Sequence, residues 1–216
     1  MATILTVDAV LLTLIESELH VALFKRDSAP FKGVWALPGG YVHENEDDHA
    51  GAAAARVLLD KAGVVSPYLE EYGTFSGPAR DPRGWSLTVV YYALVPAPVL
   101  GSSVQWFPVD KLPALPFDHA HIITGVVARV RSKAAYSSLP VFLCGEQFTV
   151  PELHAVYEAV LSEPLNRANF RRKLEDLDIL EEVPGATRPG IRSRPAQLYR
   201  LRKPYRSALS VRERGL

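Results

Sequence analysis

The sequence predicts an α+β chain in two parts: an α/β sandwich, then a helix-turn-helix followed by a β-hairpin wing. Three observations predict this. Thr3–Ile15 and Leu19–Phe24 are apolar, β-branched runs around the polar turn Glu16–Glu18, the mark of a hairpin. Asp47–Ala62 and His119–Lys133 carry helix signals, with strand-like runs at Tyr68–Phe75, Trp85–Val95 and Val104–Phe107 between them. After Tyr136–Phe148 the pattern changes to two short helices and two short strands, and basic residues gather. That break, with the proline-rich Phe107–Phe117 before it, divides the chain into residues 1–140 and 141–216.

Each element has a local reason. Asp47–Ala62 is alanine-rich, acidic at its start and stopped by Gly63. His119–Lys133 places apolar residues at 122, 123, 126, 127 and 130, one helical face. Thr149 caps the next helix, Glu152 closes a capping box and Pro151 sits in the first turn. Leu153, Val156, Tyr157, Val160 and Leu161 form its apolar stripe until Glu163-Pro164 interrupts it. Asn166 caps Arg167–Leu177, whose Phe170, Leu174 and Leu177 share a face. Ile179–Val183 and Ala196–Leu201 read as strands flanking the Gly/Pro/Arg loop Pro184–Arg194.

Composition bounds the function. At 216 residues, with 48% hydrophobic and 22% charged residues, the chain is not disordered, and no uncharged apolar run approaches the ~20 residues of a membrane helix. The single cysteine, Cys144, cannot form an internal disulfide and ends an apolar run. The expectation is a buried thiol in a cytoplasmic protein without membrane association. Net charge is zero, but Gly185–Leu216 holds nine basic residues and one acid. A basic end on a neutral body fits a polyanion partner.

The segment Leu37–Val64 resembles the Nudix box, G-x5-E-x7-R-E-U-x-E-E-x-G-U with U aliphatic. Gly40 and Glu46 match its first half; Arg56, Leu58, Gly63 and Val64 match its second, with nine residues rather than seven between Glu46 and Arg56. Gly77–Gly84 is similar to a loop of ADP-ribose pyrophosphatase-like members, and the likeness runs over about residues 5–135. It implies an α/β/α sandwich and, in active members, three carboxylates after the arginine converging on Mg²⁺. Here those positions hold Val57, Asp60 and Lys61. Magnesium requires hard oxygen ligands, and an ammonium opposes a dication. The expectation is therefore no catalytic residue, no metal and no required cofactor, with the pocket kept for a ligand. Arg26, Gly39, Gly40, Glu46, Arg56, Asp60, Lys61, Arg80 and Arg83 are its candidate lining, the cations suiting a nucleotide diphosphate. Trp35 joins the set as a stacking surface, with core packing as its other reading.

The second part supplies a DNA-binding logic. A basic second helix followed by a basic hairpin points to a major-groove reader with a wing on the backbone. The candidate contacts are Thr149, Asn166, Arg167, Asn169, Arg171, Arg172 and Lys173 on the helices, and Arg188, Arg192 and Arg194 on the wing. Arg129, Arg131 and Lys133 have two readings, DNA contact or plain solvation, and solvation is the expectation. Phe148–Leu161, Asn169–Leu174, Arg194–Arg200 and Asp118–Ile123 resemble the Nudix-related transcriptional regulators of NAD metabolism. That resemblance implies a homodimeric winged-helix repressor of NAD biosynthesis or salvage genes. Its partners would be a palindromic double-stranded DNA operator and an ADP-ribose-like nucleotide effector. The alternative reading is an active Nudix hydrolase of ADP-ribose-like substrates with a basic accessory domain.

Overall fold

The computed structural model describes residues 3–66, 68–99, 103–189 and 195–211. Strands β1 (Ile4–Ile15), β2 (Glu18–Lys25), β3 (Trp35–Ala36), β4 (Gly39–Tyr41), β5 (Leu69–Asp81), β6 (Gly84–Leu94) and β7 (Val104–Pro108) form one mixed sheet. Its main path runs β3-β2-β1-β6-β5; β4 adds to β1 and β7 to β2, and β1–β6 is the parallel pair. Helix α1 (Ala50–Ala62) covers one face and α2 (His119–Tyr136) the other. This is the expected α/β/α sandwich.

β1 is mostly apolar because both its faces are covered along Val7–Thr13. Strand alternation sends Val7, Ala9 and Leu11 towards α1 and Val10 and Leu12 towards α2. Thr6 and Asp8 share the α2 face, so a carboxylate stands at the end of an apolar stripe. That register opens the pocket described below.

α1 begins at Ala50, three residues later than the sequence suggests. His49 is its cap, accepting from the Ala52 amide, while Asp47 is drawn away by Arg56 and the His43 amide. Gly63 closes the helix at φ 65°, a conformation that suits glycine. Gly77–Gly84 is no free loop: β5 continues to Asp81 and turns through Pro82-Arg83 into β6. Arg80 and Arg83 are thereby fixed on a hairpin end.

The second part has its own core of Phe148, Leu153, Tyr157, Phe170, Leu174, Leu177 and Ile179. Helices α3 (Val150–Leu161) and α4 (Arg167–Leu177) precede the hairpin β8 (Leu180–Arg188) and β9 (Ala196–Leu201). β8 runs five residues beyond the sequence reading. A register shift between Glu182 and Thr187 absorbs the extra residues, and Gln197 bridges it by donating to Val183 and Ala186 carbonyls at 2.8 and 3.2 Å. The two parts also share packing, since Val160 of α3 is buried in the core that holds α2.

Thr149, placed among the DNA contacts by the sequence reading, is 4% exposed and completes the capping box with Glu152. Its hydroxyl accepts from the Glu152 amide at 3.3 Å and the Glu152 carboxylate accepts from the Thr149 amide at 2.8 Å. Thr149→Ala is therefore expected to cost about 1 kcal/mol of stability. Urea unfolding followed by circular dichroism measures this; an unmoved midpoint would refute the capping role.

Candidate ligand pocket and nucleic-acid interface

A cavity of ≈ 230 Å³ opens between β1, β4, the β5–β6 turn, the Arg26–Ala29 loop and the N-terminus of α2. Asp8, Arg26, Gly39, Gly40, Tyr41, Lys61, Arg80, Asp81, Arg83, Phe117 and His119 all reach it. Six of the ten residues expected in the pocket are there: Arg26, Gly39, Gly40, Lys61, Arg80 and Arg83.

Its charges fall into two classes. Arg80 is committed, with Nε donating to Asp118 at 2.8 Å and Nη2 to Asp8 at 3.0 Å. So is Arg83, which donates twice to Asp81 and, at 2.6 Å, to the Tyr41 hydroxyl. Arg26 and Lys61, among the described residues, have no carboxylate within salt-bridge distance. Arg26 Nε donates to the Pro30 carbonyl and its guanidinium lies over Phe117, 5.2 Å from the ring centroid. Lys61 Nζ sits 3.8 Å from the Phe24 centroid, and burial holds its pKa below the ordinary lysine value. A half-desolvated cation pair without anions of its own is what an anionic ligand would complete.

His119 and Asp8 went unnoticed in the sequence. The Leu37 amide donates to His119 Nδ1 at 3.1 Å, which leaves the ring proton on Nε2, 3.7 Å from Asp8 Oδ1. Burial lowers the His119 pKa, so the ring stays neutral. Alternation along β1 was the available signal for Asp8; nothing local marked His119.

Gly39 and Gly40 reach the pocket as part of β4, not as a turn. A Cβ at Gly39 would lie 2.2 Å from Asp8 Oδ1 and 2.9 Å from the Val7 carbonyl, so only glycine lets β4 cross Asp8.

Four expected lining residues lie elsewhere. Trp35 packs edge-on against Phe107 at 5.2 Å, its core reading. Glu46 is 62% exposed, Asp60 is 59% exposed, and each is 4.0 Å from Arg56. Arg56 instead grips Asp47, donating at 2.8 and 2.6 Å, and also holds the Tyr41 carbonyl at 3.0 Å. The acid that answers Arg56 is thus Asp47. Glu46 and Asp60 lie at the margin of ion-pair distance, while Asp47 is side-chain buried and meets Arg56 directly.

A divalent cation fits this set poorly. Val57 is buried under Gly40, Asp47 is sealed by Arg56, Asp60 points to solvent and Lys61 brings an ammonium. Among the described residues no three of His, Cys, Asp and Glu cluster to hold an ion. The Cys144 thiol is pushed up to about 12 by burial, which removes it as a nucleophile at neutral pH.

The second candidate surface is α4. Arg167, Asn169, Arg171 and Arg172 are exposed on it, and Arg172 donates to Asn169 Oδ1 at 2.6 Å. Asn166 is a cap: its side-chain oxygen accepts from the Ala168 and Asn169 amides. Arg188 of the wing folds back on Glu152 and the Gln147 carbonyl. Arg192 and Arg194 lie outside the described residues. Lys173 contradicts its expected role outright. It is 1% exposed, and Nζ donates to the carbonyls of Ala134 and Ala135 at 2.6 and 3.2 Å. The position follows from helical geometry: Lys173 lies three residues beyond Phe170, on the inward face. Nor are the α2 cations simply solvated, since Lys133 pairs with Glu70 at 2.6 Å and Arg131 reaches Asp110 at 3.8 Å.

The Arg56 hydrogen bond holds the Asp47 pKa down to about 2. A carboxyl with a depressed folded-state pKa stabilises the fold above its unfolded value near 4, and loses that contribution as pH falls towards 2. Arg56→Met should therefore melt below the parent protein by a gap that is constant above pH 5 and narrows between pH 4 and 2. Melting curves across that range test it; a gap unchanged at low pH would refute the pairing.

Comparison with known proteins places both surfaces in context. Residues 5–126 match the NUDIX domain model and residues 140–201 match the NrtR DNA-binding winged helix domain. The chain is 36% identical over 205 residues to the ADPR responsive transcriptional repressor NtrR of Acinetobacter baylyi, covering 91% of this chain and 81% of that protein. It superposes on Shewanella oneidensis NrtR complexed with a 27mer DNA with a TM-score of 0.88 and 40% identity, covering 98% and 99% of the two chains. The NUDIX domain of that Shewanella protein, complexed with ADP ribose, matches 60% of this chain and 89% of its own length, with a TM-score of 0.55 and 40% identity.

Proposed function

The chain belongs to the NrtR family, a Nudix domain followed by a DNA-binding winged helix, and we propose that it is a transcriptional repressor whose hold on DNA is set by ADP-ribose in the Nudix pocket. The observation that carries this is its correspondence, over 98% of its length, with a relative solved on DNA. Residues 1–140 serve as the effector unit and 141–216 as the DNA unit, acting as a homodimer on a palindromic operator beside NAD biosynthesis or salvage genes. A dimer presents its two α4 helices about 34 Å apart, one turn of duplex.

The residues support a division of roles. Arg26 and Lys61 receive the diphosphate, and the committed Arg83 holds Tyr41 at the rim beside it. Arg167, Arg171 and Arg172 neutralise phosphates or reach guanine, and Asn169 offers an amide to adenine. The hydrolase reading is disfavoured by the α1 face. Asp60 is its sole exposed carboxylate among Val57, Asp60 and Lys61, and Lys61 occupies the cavity. No step through a metal is assigned.

A gel shift on the DNA upstream of the chain's own gene tests the reading. Specific retardation, relieved by ADP-ribose, is expected; an intact protein that retards no segment of that DNA at physiological salt would overturn it. Lys61→Met and Arg26→Met should each weaken ADP-ribose binding roughly tenfold or more by calorimetry, the scale of a lost charge-assisted contact. Arg171→Ala and Arg172→Ala should weaken operator binding, and a phosphate contact among them lowers the log–log salt slope by about 1. Wild-type slope and affinity in both variants would place the interface elsewhere.

A further inference from the structure

We infer that Lys173 is a positioning residue that couples the effector pocket to the DNA-reading helix by clamping the C-terminal end of α2. The inference rests on the regulatory reading above and adds the physical link that it requires.

α2 starts inside the pocket. Asp118, immediately before it, accepts from Arg80, and His119, its first residue, lines the cavity and accepts from the Leu37 amide. Its 18 residues span about 27 Å, and Ile122, Ile123, Val126 and Val130 bury its stripe in the main core. A helix so held moves as a rod. At its far end the last carbonyls have no helical partners and carry the negative end of the dipole. Lys173 meets them: its ammonium donates to Ala134 and Ala135 and lies 4.2 Å from the Tyr157 ring centroid.

Lys173 belongs to α4, whose neighbouring Arg171 and Arg172 face outwards. One turn of helix therefore reads solvent on one side and grips α2 on the other. Three further bonds tighten the same knot. Tyr157 of α3 donates to the Ser137 carbonyl at 2.9 Å, and Ser210 bonds both Ser138 and the Leu177 carbonyl. A displacement of α2 begun at Asp118–His119 is thus delivered to α4 through directional bonds. An apolar side chain of the same volume would fill this site but specify no axial position for α2.

The test is Lys173→Met in the full-length protein, which keeps the aliphatic stem and removes the donors. Calorimetry gives its ADP-ribose Kd, and fluorescence anisotropy on the retarded DNA segment gives its operator Kd with and without saturating ADP-ribose. Energetic coupling between sites is commonly about 5–150-fold. The expected result is an ADP-ribose Kd within about twofold of wild type and a coupling ratio reduced to within about twofold of unity. A variant that binds both ligands and keeps the wild-type ratio overturns the inference alone. A wild-type protein whose operator Kd ignores ADP-ribose overturns the regulatory reading and the inference with it. Hydrogen exchange on the wild-type chain is an independent measurement should the variant not fold. ADP-ribose is expected to change protection in the last turn of α2 and in α4 together; a change in α2 with α4 untouched overturns the clamp.

Discussion

A buried guanidinium organises the first half of the molecule. The Arg80 side chain is 8% exposed and bridges Asp8, itself 9% exposed, to Asp118. Such a charge cannot be left unpaired without a penalty of several kcal/mol, so three elements must meet at one point. β1 brings Asp8, the end of β5 brings Arg80, and the entry to α2 brings Asp118. The pocket floor and the start of the helix leading to the second domain are therefore one structure. Any ligand that reaches Arg80 competes with the residue that anchors α2.

The same arrangement explains why charge content is a poor guide to charge field. The pocket contains four cations, yet Arg80 and Arg83 are neutralised by carboxylates within 3.0 Å, and Arg26 and Lys61 alone face it uncommitted. Desolvation sharpens those two, because burial penalises a cation that lacks a partner and an incoming anion relieves the penalty. In the second half, Lys173 is drawn inward and Arg188 is tied on the surface to Glu152, while Arg167, Arg171 and Arg172 stay exposed without a carboxylate among the described residues. The working surface is what remains after the fold has taken its own ion pairs.

Those two economies meet at α2. One end is held by charged groups of the pocket, the other by an ammonium from α4. Ligands shift an equilibrium only when they favour one arrangement over another. On the coupling proposed above, each arrangement of α2 would set the pose of α4. The shared core, in which Val160 packs with α2, joins the two parts.

Periodicity and punctuation by themselves determined the two-part architecture, the individual helices and strands, α3 with its capping box, and the apolar face of α4, because these depend on neighbours within a turn or along one strand; the sandwich came with the Nudix resemblance. The Nudix-like glycines and the arginines of Gly77–Gly84 were legible as pocket residues through the resemblance to the Nudix box, although they sit on strands and a hairpin end rather than on a turn and a loop. Tertiary structure alone decided the partners. Asp47 rather than Glu46 answers Arg56, since the choice depends on how the chain enters α1. Asp8 and His119 meet across 111 positions of sequence, so nothing local announces their pairing. Lys173 reads as one more cation in a basic helix until the end of α2, 38 and 39 residues away, is seen to lie beneath it. Local pattern records which groups seek burial or charge compensation; which group supplies it is a matter of long-range geometry, and that is resolved only when the chain is folded.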